Sequence, residues 1–312
     1  MDQRRVGSTD LTVSVLGFGA APVGSRAGQG ASRLAIARAL EAGVTYFDTA
    51  DLYGMGDSEK ILCAMLASRR DKVVISTKCG YTYSKGMKAL NIIKPLIRPI
   101  VTKLKRAKAA AGAAMASQKS QNFTPEYIRA CVEGSLSRLK TDRIDLFFLH
   151  DPSSEVLRGG QALGTLSELK SQGKLRHFGV SCDHDVALEL MRAGPKGIAA
   201  LQISAGPLER APLGELLSLC QHHGVGFIAR QPFANGRLVR LGSPLLAEMQ
   251  IHGLKADAHA AAGLALRMLR DTPGVCSILP SMMNPSNLEA NIRSISAAPL
   301  SDAERSALNA LE

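Results

Sequence analysis

Four side chains in this sequence have the types needed for proton chemistry: Asp48, Tyr53, Lys78 and His150. Asp48 and Tyr53 stand five apart in Tyr46-Phe47-Asp48-Thr49-Ala50-Asp51-Leu52-Tyr53-Gly54, where an apolar, strand-like run ends. Lys78 ends the next such run, Ile75-Ser76-Thr77-Lys78, and His150 the one after, Leu146-Phe147-Phe148-Leu149-His150. An isolated phenol has a pKa near ~10, too high to shuttle protons at neutral pH. A nearby ammonium favours the phenolate and lowers that value. A carboxylate against the ammonium keeps it charged and in place, and a histidine can donate a hydrogen bond to a carbonyl oxygen. Reduction of a carbonyl by hydride needs such a set: a proton donor at the oxygen and a dry polar cradle for the developing charge. Taken singly, the histidine reads as a structural group, the lysine as a solvated one and the aspartate as a helix cap. Their arrival at consecutive strand ends favours one shared site at the mouth of a parallel barrel.

Such a site requires strands and helices in alternation. Residues 3–14 read as a short hairpin turning over Gly7-Ser8-Thr9-Asp10, with Val6, Leu11 and Val13 on its strands. Strand-like runs follow at 14–19, 45–49, 73–77, 144–149, 175–180, 200–203, 225–229 and 275–279. Helical runs lie between and after them at 32–41, 58–67, 125–139, 163–171, 185–191, 212–222, 257–269 and 285–295, with a last one at 302–311. Thr124 followed by Pro125 is an N-cap with proline at the first helical position. The strands are rich in Val, Ile, Leu and Phe without clean alternation, as strands covered on both faces are. The expectation is an α/β fold, a (β/α)8 TIM barrel with an N-terminal β-hairpin, spanning 1–312 as one domain. Gly17-Phe18-Gly19-Ala20-Ala21 lacks the third glycine of a dinucleotide-binding fingerprint, so a Rossmann reading is weak.

The 312 residues, 46% of them hydrophobic and none of them Trp, supply a sizeable aliphatic core. Apolar runs are short and interrupted, so no membrane-spanning helix is expected. Two early arginines lack an apolar run behind them, and no secretory leader is expected. Six cysteines are scattered without a C-x-x-C pair, which argues against a zinc ribbon or disulfide scaffold. A reducing, cytoplasmic setting and no bound metal are the expectation. The pair His222-His223 closes a helix and suits its dipole. Net charge is +11, and nine of those charges fall in residues 82–122, which carry no acidic residue. The remainder is near neutral, so a general nucleic-acid surface is not expected.

The sequence resembles the aldo-keto reductase superfamily over nearly its whole length. The resemblance rests on Leu16-Gly17-Phe18-Gly19, on Phe47 to Gly54, on Ser76-Thr77-Lys78 and on Asp142-Arg143-Ile144-Asp145-Leu146-Phe147-Phe148-Leu149-His150. Leu175-Arg176-His177-Phe178-Gly179-Val180-Ser181 and Leu288-Glu289-Ala290-Asn291 add to it. It implies an NAD(P)(H)-dependent oxidoreductase that interconverts a carbonyl compound (aldehyde, ketone or sugar) and an alcohol. Tyr53 would be the general acid/base, Lys78 would tune it, Asp48 would pair with Lys78, and His150 would orient the carbonyl. The cofactor positions it implies are Gly19, Ala20, Asp48, Ser181, Cys182, Gln202, Arg230, Gln231, Pro232, Phe233, Ser281, Met283, Asn287 and Asn291. Two of these depart from the family pattern: Cys182 stands where an asparagine is usual, and Arg230 where an aromatic often stacks on nicotinamide. An arginine plane can also stack on a ring. After the eighth strand, Pro280-Ser281-Met282-Met283-Asn284-Pro285-Ser286-Asn287 offers no cation for a 2′-phosphate. NADP(H) is favoured from the family's habit, with NAD(H) open. Two alternatives stand beside this reading: an NAD-dependent sugar dehydrogenase working oxidatively, and a cofactor-binding regulatory subunit with vestigial activity.

The basic insert at 82–122 is the part least like the family. It reads as a solvated flap over the site, as a contact for a membrane surface or anionic lipid, or as a contact for a partner or an acidic substrate. Residues 233–255 form a second candidate lid. Tyr81 and Tyr83 follow the third strand and read equally as lining the mouth or as surface residues, while Cys79 and Cys182 read as small packing residues.

Overall fold

The computed structural model describes residues 1–25, 27–83 and 119–311. The basic positions from Lys85 to Lys108 and the Tyr83 side chain lie outside the described residues, and with them the three readings of the insert. Strands β1 (Gln3–Arg5) and β2 (Thr12–Ser14) form the expected antiparallel hairpin. Eight parallel strands follow: β3 (Phe18–Gly19), β4 (Tyr46–Asp48), β5 (Val74–Cys79), β8 (Ile144–His150), β9 (Leu175–Ser181), β10 (Ala200–Ser204), β11 (Gly226–Arg230) and β12 (Val275–Leu279). They lie side by side in chain order, and bridges from Leu16 to Ile278 and from Gly19 to Ser281 join the first to the last. The result is a nearly closed barrel of the expected (β/α)8 type.

The helices fill the intervals: α1 (Gln29–Glu41), α2 (Asp57–Leu66), α3 (Pro125–Leu139), α4 (Ser154–Gly159), α5 (Gln161–Ser171), α6 (His184–Arg192), α7 (Glu215–His223), α8 (Pro244–Ile251), α9 (Ala258–Asp271), α10 (Pro285–Ile295) and α11 (Asp302–Asn309). α3 begins as its sequence requires, with the Thr124 side chain accepting from the Tyr127 N–H and proline at the first turn. Among the described residues, no helix is long and apolar enough to cross a membrane.

Alternation along the strands sorts the core into two layers. Even-numbered strand residues, Tyr46, Val74, Leu146, Phe148, Ala200 and Ile228, form an inner cluster with Val6, Leu11 and Val13 of the hairpin. The hairpin therefore packs with the barrel interior. Odd-numbered residues such as Phe47, Ile75, Phe147 and Leu201 join the helices in the outer core. Gly17 is fixed by this crowding: a β-carbon there would stand 2.7 Å from Leu279 Cδ2 and 2.8 Å from Tyr46 Cδ1.

Two features depart from expectation. Tyr81–Tyr83 (β6) pairs antiparallel with Lys119–Gln121 (β7), so a short ladder roots the basic insert. Lys119-Ser120-Gln121 carries no strand signal; pairing, rather than side-chain preference, makes it a strand. The predicted lid at 233–255 holds α8, whose Leu245 and Met249 pack with α9 and α11 in a satellite core. Leu238, Leu245 and Met249 are anchored there, while Leu241 and Ile251 are exposed.

Candidate active site

Strand register delivers the chemistry to one end of the barrel. Gly19 pairs with Asp48, Asp48 with Ser76, Lys78 with Phe148, His150 with Ser181, Ser181 with Gln202, and Ser204 with Arg230. Lys78 and Asp48 are both buried, and their side chains meet at 2.5 Å. Lys78 Nζ also donates to the Thr49 carbonyl at 2.7 Å. A lone buried ammonium would be expelled or neutralised; a paired and hydrogen-bonded one is tolerated. Burial pushes the Lys78 pKa down, and the charge of Asp48 opposes the shift.

Asp48 is held on its other oxygen as well. Oδ1 lies 2.6 Å from Ser76 Oγ and accepts from Gln202 Nε2 at 2.5 Å. Ser76 Oγ is also 2.9 Å from Tyr46 Oη. A serine has one proton, so giving it to the carboxylate leaves Oγ to accept from the Tyr46 phenol. Ser76 and Tyr46 were not singled out in the sequence. Their signal was available: each shares strand parity with Lys78 or Asp48 and so faces the same interior.

Tyr53 lies beyond the strand, on a 3-10 turn at Tyr53–Gly56. The turn needs Gly54, which has φ +59° and sits against the Gly24 backbone. The half-buried Tyr53 ring has its centroid 5.5 Å from Lys78 Nζ. It meets the His150 ring edge-on, centroids 6.2 Å apart. Burial first, and the Asp48 charge second, push the Tyr53 pKa up; Arg230 pulls it down. The four predicted catalytic residues are thus brought together. Asp51 lies on the turn after β4 with its carboxyl buried. Burial first, and then the Glu59 charge, push it from 3.8 up to about 7.

The family model for aldo/keto reductases matches residues 15–312. The chain belongs to the aldo-keto reductase family. It is 27% identical over 329 residues to the uncharacterized oxidoreductase YqkF of Bacillus subtilis, covering 99% of this chain and 95% of that one. It is 30% identical over 243 residues to the NADH-specific methylglyoxal reductase of Escherichia coli, covering 75% and 68%. Among solved structures, the holo form of aldo-keto reductase AKR11C1 from Bacillus halodurans superposes with a TM-score of 0.76 at 26% identity, covering 100% and 96%. The protein is therefore an oxidoreductase of this family, whose members use NAD(P)H.

The mouth has polar atoms suited to a nicotinamide carboxamide. Because a carboxylate only accepts, Gln202 must turn its NH2 group to Asp48, which leaves Oε1 as an acceptor. That Oε1 and Ser181 Oγ are buried, adjacent by register, and have no hydrogen-bond partner among the described residues. Buried polar atoms are rarely left unpaired without a reason. Of the other predicted cofactor positions, Gly19 N–H donates to the Pro280 carbonyl at 3.3 Å and Ala20 N–H to the Asp48 carbonyl at 2.8 Å. Cys182 is a buried thiol pushed up to about 12 by desolvation, which suits packing.

Arg230 stands at the mouth with its guanidinium already engaged. Nη2 lies 3.2 Å from Asp151 Oδ1, 3.2 Å from the Cys182 carbonyl and 3.7 Å from Asp183 Oδ1. Gln231 follows at φ +54° with its Oε1 3.3 Å from Ser204 Oγ, while Pro232 is buried and Phe233 packs against the core. On the far rim, Ser281 and Asn287 are exposed, Met283 packs against the core, and Asn291 is buried with Nδ2 lacking a partner among the described residues. His259 Nε2 lies 3.1 Å from Asn287 Oδ1.

Proposed function

We propose that the protein interconverts a carbonyl compound and an alcohol, with Tyr53 as the general acid/base. The observation that carries this reading is the buried Asp48–Lys78 pair beneath the Tyr53 ring, with His150 edge-on beside it. A bound reduced nicotinamide would supply the hydride. The chain's own groups supply the rest. His150 donates a hydrogen bond to the substrate oxygen and so fixes the face presented to the cofactor. Tyr53, whose environment keeps the phenol protonated, gives its proton to that oxygen as negative charge develops. The Lys78 ammonium, held by Asp48 and the Thr49 carbonyl, stabilises the phenolate left behind. In the oxidative direction, which suits a sugar substrate, the same groups run in reverse. Gln202 Oε1 and Ser181 Oγ hold the carboxamide, and Asn287 and Asn291 meet the adenosine.

NAD(H) use has a specific observation in its favour over the expected NADP(H). Residues 280–292 contain no Lys or Arg, and Glu289 is acidic. The family relative described as NADH-specific is consistent with this. The deciding experiment is steady-state turnover of a nitrobenzaldehyde with NADPH and with NADH. Tyr53→Phe should lower kcat by roughly a hundredfold or more while nucleotide binding, read by quenching of the dihydronicotinamide fluorescence, is retained. Undiminished turnover in that variant would overturn the reading.

A further inference from the structure

Asp151, next in chain to His150, ties several elements of the mouth together. Its backbone is left-handed, φ +53°, a conformation most residues avoid. Its N–H donates to the Ser181 carbonyl at 2.7 Å, and its own carbonyl accepts from Gln121 Nε2 at 2.7 Å. These bonds tie the end of β8 to β9 and to β7. The carboxylate spans further. Oδ2 accepts from the Tyr81 hydroxyl at 3.0 Å, and Oδ1 pairs with Arg230 Nη2 at 3.2 Å. Tyr81 is held from behind, its carbonyl accepting from the Tyr127 hydroxyl at 2.8 Å. The Tyr81 ring then stands edge-on to His150, centroids 5.0 Å apart, as the Tyr53 ring does at 6.2 Å.

We propose that Asp151 is a positioning residue: it clamps Arg230 and Tyr81 into one brace across the barrel mouth, and the brace fixes the His150 ring in the orientation that receives the substrate carbonyl. The inference rests on the reading of His150 given above. Its geometry follows from the parts. An imidazole in contact with two edge-on rings has less freedom to rotate, provided both rings are fixed. Tyr53 is fixed by its turn; Tyr81 is fixed through Asp151. Tyr81 is a firm donor, because burial and the adjacent Asp151 charge push its phenol up to about 12. Tyr81 on Oδ2 and Arg230 on Oδ1 are both donors, so both carboxylate oxygens are engaged as acceptors. Misplacing a catalytic hydrogen-bond donor by a fraction of an ångström is expensive in rate.

The test is a double-mutant cycle between Asp151→Asn and His150→Ala, read as kcat/KM for a nitrobenzaldehyde. Asparagine tolerates the left-handed backbone, so the fold is retained, and thermal unfolding checks it. Its amide places an N–H against one of the two donors the carboxylate served. Asp151→Asn alone should lower kcat/KM roughly tenfold, and should cost almost nothing further in the His150→Ala background. Tyr81→Phe, which removes only the hydroxyl, should reproduce the loss and should not add to Asp151→Asn. Full additivity of Asp151→Asn with His150→Ala, or wild-type kinetics in both single variants, overturns the brace while leaving the site reading intact. Full activity in His150→Ala overturns the site reading and the brace with it.

Discussion

The floor of the barrel mouth and its far rim are built on different principles. On the floor, Tyr46, Asp48, Ser76, Lys78 and Gln202 sit on strands, are buried, and satisfy one another within a few ångströms. On the rim, Ser281, Asn284 and Asn287 sit after β12 and at the start of α10, exposed and uncharged. The floor's positions are set by sheet register, and each residue has partners that a substitution would orphan. The rim's are set by a loop and a helix cap, with water available as a substitute partner. Changes to the floor should therefore cost both chemistry and much stability, while changes to the rim should tune cofactor affinity at little cost in stability and none in the chemical step.

Lys78→Met tests the floor hardest. It removes the group that stabilises the phenolate and leaves Asp48 buried without its counter-charge. Breaking a buried pair in this way costs about 3–5 kcal/mol of stability. Turnover should fall by roughly a thousandfold, and the urea midpoint should drop with it. Near-wild-type stability would mean that Asp48 has accepted a proton instead, which would show as a new pH dependence of unfolding.

Asp51 offers a smaller and differently signed test behind the same floor. Its carboxyl is faced by Glu59 of α2 and by Cys131 and Arg138 of α3. The folded value of about 7 lies above the ordinary 3.8. The folded state therefore binds the proton more tightly, so its contribution is fully present below about pH 4 and is lost as pH rises through 7. Stability measured by urea unfolding should fall between pH 4 and 7 by up to a few kcal/mol from this group alone. Asp51→Asn should flatten that slope and leave the variant at least as stable as the parent at pH 8. An unchanged slope would show that Asp51 ionises normally.

The contrast also explains what could be read from the sequence. The tetrad was legible because Asp48, Lys78 and His150 each end an apolar run and Tyr53 follows five residues after the first, and the barrel because eight runs alternate with eight helices. Helix α10 was legible to the residue, since Pro285 opens it. Asp151 was not, because its importance lies in a left-handed backbone and in partners on β6 and β11 that are far away in the chain. The same holds for β7, whose Lys-Ser-Gln sequence becomes a strand only through its partner. Arg230 was noticed as a departure, but its ties to Asp151 and Asp183 required the register of four strands.

Ser281→Arg tests the rim. An arginine on the exposed segment after β12 would supply the cation that residues 280–292 lack. If the 2′-phosphate of NADP(H) meets this rim, the ratio of NADPH to NADH affinity should rise roughly tenfold, or about 1.4 kcal/mol. The catalytic constant at saturating cofactor should not move. An unchanged ratio would place the phosphate elsewhere.

The smallest effect belongs to Asn284, and it sharpens the comparison most directly. Its side chain caps α10, accepting from the Ser286 N–H at 2.9 Å and the Asn287 N–H at 3.4 Å. Asn284→Ala leaves these donors to water and should cost ~1 kcal/mol, a Tm fall of about 2–4 °C. The first turn of α10 carries Asn287, so loosening it should raise the KM for the nucleotide a few-fold. Among the described residues, the cap's hydrogen bonds join no residue of the floor, so kcat should stay at the parent's value, the reverse of the pattern expected for Lys78→Met. A fall in kcat at saturating nucleotide would mean that rim and floor are mechanically coupled, and that the division argued from burial and register is drawn in the wrong place.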